Sequence, residues 1–283
     1  MTPLRKKVIQ AMHQRRFSPR TIESYLYSLS CLSKYFGRSP DTLDVAELQR
    51  YFDYLVQEKQ LAASSCLLQL NAARFLYVQV LGWTEFELKI VVPKRPLYIP
   101  ELLTRTHVRR IIEACGNEKH RMMLKTCYGC GLRVSELVSI KVRDIDGERR
   151  LLKVVQGKGR KDRMVIIGQH LLEELRRYWK KDRPKEWLFP SSSRNNCLSI
   201  STLQRVYKNA KTNAGVDKDG GIHGLRHAYA THQLEAGMPV VDLQHQMGHA
   251  HIMTTLRYLH WVPNYHSENR RGADLLAQLG SGS

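Results

Sequence analysis

The chain has 283 residues, of which 42% are hydrophobic, and it carries a formal net charge of +19. This hydrophobic content is enough for a packed core and excludes a globally disordered chain. The positive charge is spread along the whole sequence and favours a polyanionic partner, with nucleic acid ahead of an anionic membrane surface. No apolar run approaches the ~18 residues that a membrane span needs, and the basic N-terminus lacks a signal-peptide core. We therefore expect a cytoplasmic protein with no membrane partner.

Residues 1–92 have the pattern of helices only. Ser18 is expected to begin a helix that Gly37 ends, and Asp44 can cap the next one. A further helix is predicted to stop at Gly82, and another to cover the first dozen residues. This part of the chain is therefore predicted to be a small helical bundle with a basic surface.

Three prolines within residues 93–100 preclude a continuous helix there and favour an extended linker between two domains. The second domain, residues 101–283, is predicted to be mixed. Two short β-type runs, 151–156 and 163–167, flank a glycine-containing turn, and the rest of the domain has helical spacing. The predicted fold class is thus mainly α with a small antiparallel β-sheet.

The sequence of the second domain contains six side chains that could take part in one reaction. Arginine and lysine can bind one phosphate and stabilise its developing charge, histidine can act as an acid or a base, and a phenol can attack. Together they form a complete set for cutting and rejoining DNA without a metal. The six residues are Arg133, Lys158, His223, Arg226, His249 and Tyr258.

The spacing of these residues resembles that of the tyrosine recombinases, the family of phage integrases and Xer-like enzymes. The resemblance rests on the blocks Gly131–Leu137, His223–His227 and Met247–His249, with Tyr258 nine positions after His249. Met247 stands where the family usually has leucine, a departure that touches no reacting group. The resemblance covers nearly the whole chain. It implies an N-terminal helical, SAM-like core-binding domain over residues 1–92 and an α+β catalytic domain over residues 101–283.

The resemblance also implies roles for the reacting groups. Tyr258 would attack the scissile phosphate and form a 3′-phosphotyrosine, and Lys158, on the predicted hairpin turn, would protonate the 5′-oxygen leaving group. His223 and His249 would accept the tyrosine proton or bond the phosphate, and one sequence does not divide these two roles. A solvated hairpin lysine and a buried structural tyrosine are the alternatives for Lys158 and Tyr258.

The resemblance implies that Arg133 and Arg226 clamp the phosphate and that Glu136 supports them. A surface salt bridge between Arg133 and Glu136 is the alternative, and the two interpretations are compatible. We assign His227 and His232 to packing or helix capping. Cysteine side chains next to the first block, at positions 127 and 130, are assigned to the core, because no second ligand pair follows at zinc-like spacing.

The expected partner is double-stranded DNA with inverted half-sites. The resemblance implies a homodimer on each site and a homotetramer in the synapse, exchanging strands through a Holliday junction in the bacterial cytoplasm, without a metal, nucleotide or other cofactor. The C-terminal segment 266–279 is predicted to be a short helix that docks on the neighbouring protomer, with packing on its own domain as the alternative.

Three other functions are alternatives to this one. A type IB topoisomerase-like nicking-closing enzyme would share the chemistry but relax supercoils as a monomer. A DNA-binding protein of the same fold would lack the reaction. A metal-dependent transposase is disfavoured, because no spaced acidic triad stands out in the sequence.

Overall fold

The computed structural model describes these parts of the chain: residues 2–84, 86, 101–155, 162–192 and 196–261. The chain divides into two compact units, Met1–Tyr98 and Ile99–Ser283. Within the described parts, no helix has the length and apolar character that a membrane span requires. The linker 93–100, the turn with Lys158 and the C-terminal segment 266–279 lie outside the described residues.

The first unit is built from helices, as the sequence predicts. Ser18 caps the second helix by accepting the N–H of Thr21 at 3.1 Å, and Gly37 ends that helix at a φ of 67°. The last α-helix continues directly into a π-helical segment, and the apolar faces of all these helices meet in one core. In the described residues the α-helices are α1 Pro3–Gln14, α2 Pro19–Phe36, α3 Val45–Gln57 and α4 Ala63–Arg74.

The second unit also consists mainly of helices. Thr104 and Asn117 cap its first two helices through their side chains. Cys127 and Cys130 lie fully inside the core, as predicted, and burial raises the pKa of each thiol to about 12. Its described α-helices are α5 Arg105–Glu113, α6 Glu118–Gly129, α7 Val134–Val138, α8 Gln169–Asp182, α9 Ile200–Asn213, α10 His223–Glu235, α11 Val240–Met247 and α12 Ile252–Leu256.

A small antiparallel sheet stands between α7 and α8, which confirms the predicted fold class. Its strands follow the order β1 Ile145–Asp146, β2 Leu151–Val154 and β3 Arg163–Ile166. Leu152 of β2 is opposite Val165 of β3, and both side chains are buried. The sequence predicts β2 and β3 but not β1, because two residues are too few to show the alternation of a strand.

Candidate active site

Helix α10 carries Arg226 into the interior of the second unit, where its side chain is 1% exposed. The Arg226 guanidinium donates to the carbonyl oxygens of Gly131 at 2.6 Å and Met247 at 2.5 Å. Burial, followed by the charge of Arg133, lowers the pKa of Arg226 to about 10, so the cation persists at neutral pH. Arg226 thus joins the segment that follows α6 to the end of α11.

A buried carboxylate, Glu136, lies among three arginines. Arg133 Nη1 is 2.7 Å from Glu136 Oε1, Arg163 binds both carboxylate oxygens at 2.8 and 2.9 Å, and Arg226 Nη1 is 3.8 Å from Oε2. Burial alone would raise the pKa of Glu136, but hydrogen bonds and charge from Arg163 and Arg133 lower it to about 2. One carboxylate therefore faces three guanidinium groups, which leaves an excess of positive charge for an anion.

Arg163 is a member of this cluster that the sequence analysis missed. It opens strand β3, and besides the fork on Glu136 its Nε donates to the Gln246 carbonyl oxygen at 2.9 Å. Glycine at position 248 leaves room for the Arg163 side chain, because a Cβ atom there would lie 2.8 Å from Arg163 Cδ. An arginine at the start of a hairpin strand looks like an exposed position in the sequence, so no local signal marks it.

Arg133 is the more accessible of the two predicted phosphate ligands. It precedes helix α7, and its backbone N–H donates to Glu136 Oε2 at 2.9 Å in a capping arrangement. Arg133 Nη2 donates to the Gly248 carbonyl oxygen at 3.2 Å. Its side chain is 20% exposed, against 1% for Arg226, so an incoming anion meets Arg133 first.

The tautomer of His249 follows from its two neighbours. His249 Nε2 is 3.2 Å from Arg226 Nη2, and its Nδ1 is 2.8 Å from Thr255 Oγ1. A guanidinium can only donate, so Nε2 accepts, and the ring proton of neutral His249 lies on Nδ1 and is donated to Thr255. Burial, then the charges of Arg226 and Arg133, lower the pKa of His249 to about 4, which keeps the ring neutral at pH 7.

Tyr258 lies in the turn between α12 and the short 3-10 helix Leu259–Trp261, and it is 4% exposed. Its hydroxyl is 2.9 Å from His227 Nδ1. Its ring is parallel to that of His249, with centroids 6.2 Å apart. Burial raises the pKa of Tyr258, and the charges of Arg226 and Arg133 offset part of that rise. The phenol is therefore protonated in this state.

His223 lies at the exposed start of helix α10, at the edge of this site. Its ring stands edge-on to that of His227, with centroids 4.6 Å apart. Partial desolvation, followed by the charges of Arg226 and Arg133, lowers the pKa of His223. His223 is thus a neutral group beside His227, the histidine that contacts Tyr258.

Comparison with known proteins identifies the family. Residues 101–264 match the phage integrase family, and residues 4–85 match the N-terminal SAM-like domain of phage integrases. The chain is 35% identical to the tyrosine recombinase XerA of Pyrococcus furiosus, over 93% of this chain and 91% of that protein. The chain belongs to the phage integrase family of tyrosine recombinases.

This recombinase has the same architecture as solved structures. The chain matches the crystal structure of XerA recombinase with a TM-score of 0.53 and 26% identity, over 98% of both chains. A lambda integrase dimer bound to a COC′ core site matches with a TM-score of 0.73 over 90% of this chain and 75% of that one. The identity in the second case is 18%, so that similarity concerns the fold.

The recombinase brings most of the predicted site residues together, while Lys158 lies outside the described residues. The sequence analysis assigned His227 to packing or capping, whereas in the structure its ring is hydrogen-bonded to the Tyr258 hydroxyl. His232 does pack, since it is 8% exposed and its Nδ1 is 2.9 Å from Tyr128 Oη. The residues gathered in this region are Arg133, Glu136, His223, Arg226, His249 and Tyr258.

Proposed function

We propose that this recombinase cuts and rejoins duplex DNA at a specific site through a 3′-phosphotyrosine intermediate. The observation that carries the proposal is the convergence of two arginines, a histidine and a tyrosine on one place. Arg226 Nη2 is 3.2 Å from His249 Nε2, and the His249 ring lies parallel to that of Tyr258. Arg133 reaches the same region through its contact with the Gly248 carbonyl oxygen.

In this proposal, Arg133 and Arg226 stabilise the charge that develops on the non-bridging phosphate oxygens. Such stabilisation is strongest when the donors are held in place before the reaction. Glu136 and the backbone carbonyl oxygens hold both guanidinium groups, so little reorganisation is required when DNA binds. His249 accepts from Arg226 through Nε2, so in this tautomer it helps to hold the guanidinium group in place beside the phosphate.

Tyr258 is the proposed nucleophile and Lys158 the proposed acid for the 5′-oxygen leaving group. The ester formed by Tyr258 stores the energy of the broken bond, so the strands can be resealed without ATP. In the sequence, Lys158 lies between strands β2 and β3. Arg163, the first residue of β3, is bonded to Glu136, so the start of this strand is tied to the arginine cluster.

We further propose that residues 1–92 form the core-binding domain, residues 93–100 the linker and residues 101–283 the catalytic domain. The net charge of +19 suits a protein that encloses a duplex with both domains. A dimer on inverted half-sites and a tetramer that exchanges strands through a Holliday junction complete the proposal. The lambda integrase dimer on its core site supports the dimer, and the family resemblance supports the tetramer and the junction.

The test is trapping of a covalent protein–DNA adduct on a nicked suicide substrate, in excess EDTA. The wild-type chain should form the adduct, because the two arginines supply the charge stabilisation. Tyr258→Phe should form none and still bind DNA within about threefold, since most affinity comes from phosphate contacts elsewhere. Tyr265→Phe, the tyrosine nearest in sequence, is the matched control and should react. Adduct formation by Tyr258→Phe would contradict the proposal, as would activity that requires added Mg²⁺.

A further inference from the structure

His227 is in direct contact with the tyrosine hydroxyl, although it lies outside the six residues that the sequence marks. Its Nδ1 is 2.9 Å from Tyr258 Oη, within hydrogen-bond reach of the proton that must leave during attack. Trp261 stands edge-on to both rings, with centroid distances of 6.0 Å to His227 and 5.2 Å to Tyr258. The hydroxyl is therefore enclosed by protein on the side where His227 binds it.

The other two histidines are less suited to take this proton. Both ring nitrogens of His249 are engaged, because Nε2 accepts from Arg226 and the Nδ1 proton is donated to Thr255. His249 thus has no lone pair directed at the phenol. His223 lies edge-on against His227 at the exposed start of the helix, and in the described residues it is His227 that bonds the Tyr258 hydroxyl.

Taking Tyr258 as the nucleophile, as proposed above, we propose that His227 accepts the phenol proton during attack. A lone pair of Tyr258 Oη forms the bond to phosphorus while the hydroxyl proton passes to His227 Nδ1, which gives an imidazolium. The bond from phosphorus to the 5′-oxygen breaks, and that oxygen takes its proton from Lys158, the proposed acid. In rejoining, the 5′-hydroxyl attacks phosphorus and gives its proton to the neutral amine of Lys158. The bond from phosphorus to the tyrosine oxygen breaks, and His227 returns its proton to that oxygen.

The charges around His227 fit an acceptor that works only with DNA in place. The groups facing it are His223 and Arg226 on its own helix and Tyr258 from the turn after α12. Burial, then His223 and Arg226, lower the pKa of His227 to about 4, so the ring is neutral at pH 7. In the tautomer with its proton on Nε2, the Nδ1 lone pair accepts from the Tyr258 hydroxyl. A bound phosphate would offset the positive charge of Arg226 and stabilise the imidazolium. Proton transfer is thereby coupled to attack.

The helix offers a matched control for this proposal. His232 lies on the same helix, α10, and its Nδ1 is also 2.9 Å from a tyrosine hydroxyl, that of Tyr128. That pair lies outside the arginine cluster. Replacing either histidine by asparagine keeps a hydrogen-bond acceptor near the Nδ1 position but removes the group that takes a proton at neutral pH.

The experiment is single-turnover cleavage of a nicked suicide substrate by the full chain, below the melting temperature of every variant. We expect His227→Asn to cleave at least ~100-fold more slowly than wild type and His232→Asn to stay within about threefold. The rate of His227→Asn should rise steadily between about pH 6 and 9, as hydroxide replaces the missing base, whereas the wild-type rate should be nearly flat. Added imidazole should restore part of the activity of His227→Ala.

A substrate with sulfur at the 5′-bridging position separates the two proton transfers. Sulfur leaves without help from an acid, so this substrate should rescue Lys158→Ala but not His227→Ala. The proposal is wrong if His227→Asn cleaves within about threefold of wild type. It is also wrong if its pH profile matches wild type and imidazole restores nothing to His227→Ala. Failure of the whole function is distinguishable, because the wild-type chain would then form no adduct at Tyr258.

Discussion

Replacing Glu136 by glutamine tests whether its carboxylate stabilises the arginine cluster. The side chain is 4% exposed and balances the charges of Arg133, Arg163 and Arg226. The pKa of Glu136 falls from its usual 4.5 to about 2, which corresponds to about 3 kcal/mol of stability at neutral pH. Loss of one partner from a buried ion pair costs a similar amount, about 3–5 kcal/mol. For a unit of this size, about 3 kcal/mol lowers the melting temperature by about 6–12 °C.

The assay is differential scanning calorimetry of the wild-type chain and of Glu136→Gln, with Glu186→Gln as a control. Glu186 also binds a basic side chain, Lys141, but it is 59% exposed, and its replacement should leave the melting temperature nearly unchanged. The pKa of Glu136 is lowered by folding, so its stabilisation is present above pH 4.5 and is lost as the pH falls toward 2. The difference in melting temperature between wild type and Glu136→Gln should therefore decrease as the pH falls over that interval. Equal melting temperatures for Glu136→Gln and wild type at pH 7 would show that the Glu136 carboxylate does not stabilise the arginine cluster.

Three further predictions concern the backbone, the leaving group and the C-terminus. Gly131→Ala should destabilise the chain by about 3 kcal/mol or more, because φ is +60° and the new Cβ would lie 2.3 Å from the ring of Tyr229. Gly221→Ala is the control, and it should change the melting temperature little because the space around Gly221 is open. Lys158→Ala should cleave at least ~100-fold more slowly and recover much of its rate on the 5′-sulfur substrate, and equal impairment on both substrates would exclude a role as acid. Deletion of residues 268–283 should leave melting and one-site binding nearly intact but abolish cooperative binding to paired half-sites in a mobility-shift titration; a much lower melting temperature would show that the segment acts within its own domain.

Local signals predict the helices of this chain well. Ser18 and Asp44 cap helices in the structure because a side-chain oxygen beside its own helix is enough for the interaction. Strand β2 was predicted from its run of apolar and β-branched residues. By contrast, β1 has only two residues, Ile145 and Asp146, and its pairing with β2 depends on the chain folding back.

The contacts within the site are less predictable, because they join residues that are distant in sequence. His227 and Tyr258 are 31 positions apart, and nothing around His227 indicates that its ring faces the tyrosine. Arg163 reaches Glu136 across 27 positions and the carbonyl oxygen of Gln246 across 83. Motif spacing therefore indicated which residues could react, whereas packing decides which of them hold one another.

The covalent intermediate identifies the attacking residue directly. Adduct trapped on a suicide substrate would be digested with protease and nuclease, and the linked peptide sequenced by mass spectrometry. We expect a single peptide that contains Tyr258, joined through its hydroxyl to a 3′-phosphate, with a free 5′-hydroxyl on the released strand. Linkage through another residue, linkage to a 5′-phosphate, or cleavage without any linked peptide would exclude Tyr258 as the nucleophile that forms a 3′-phosphotyrosine.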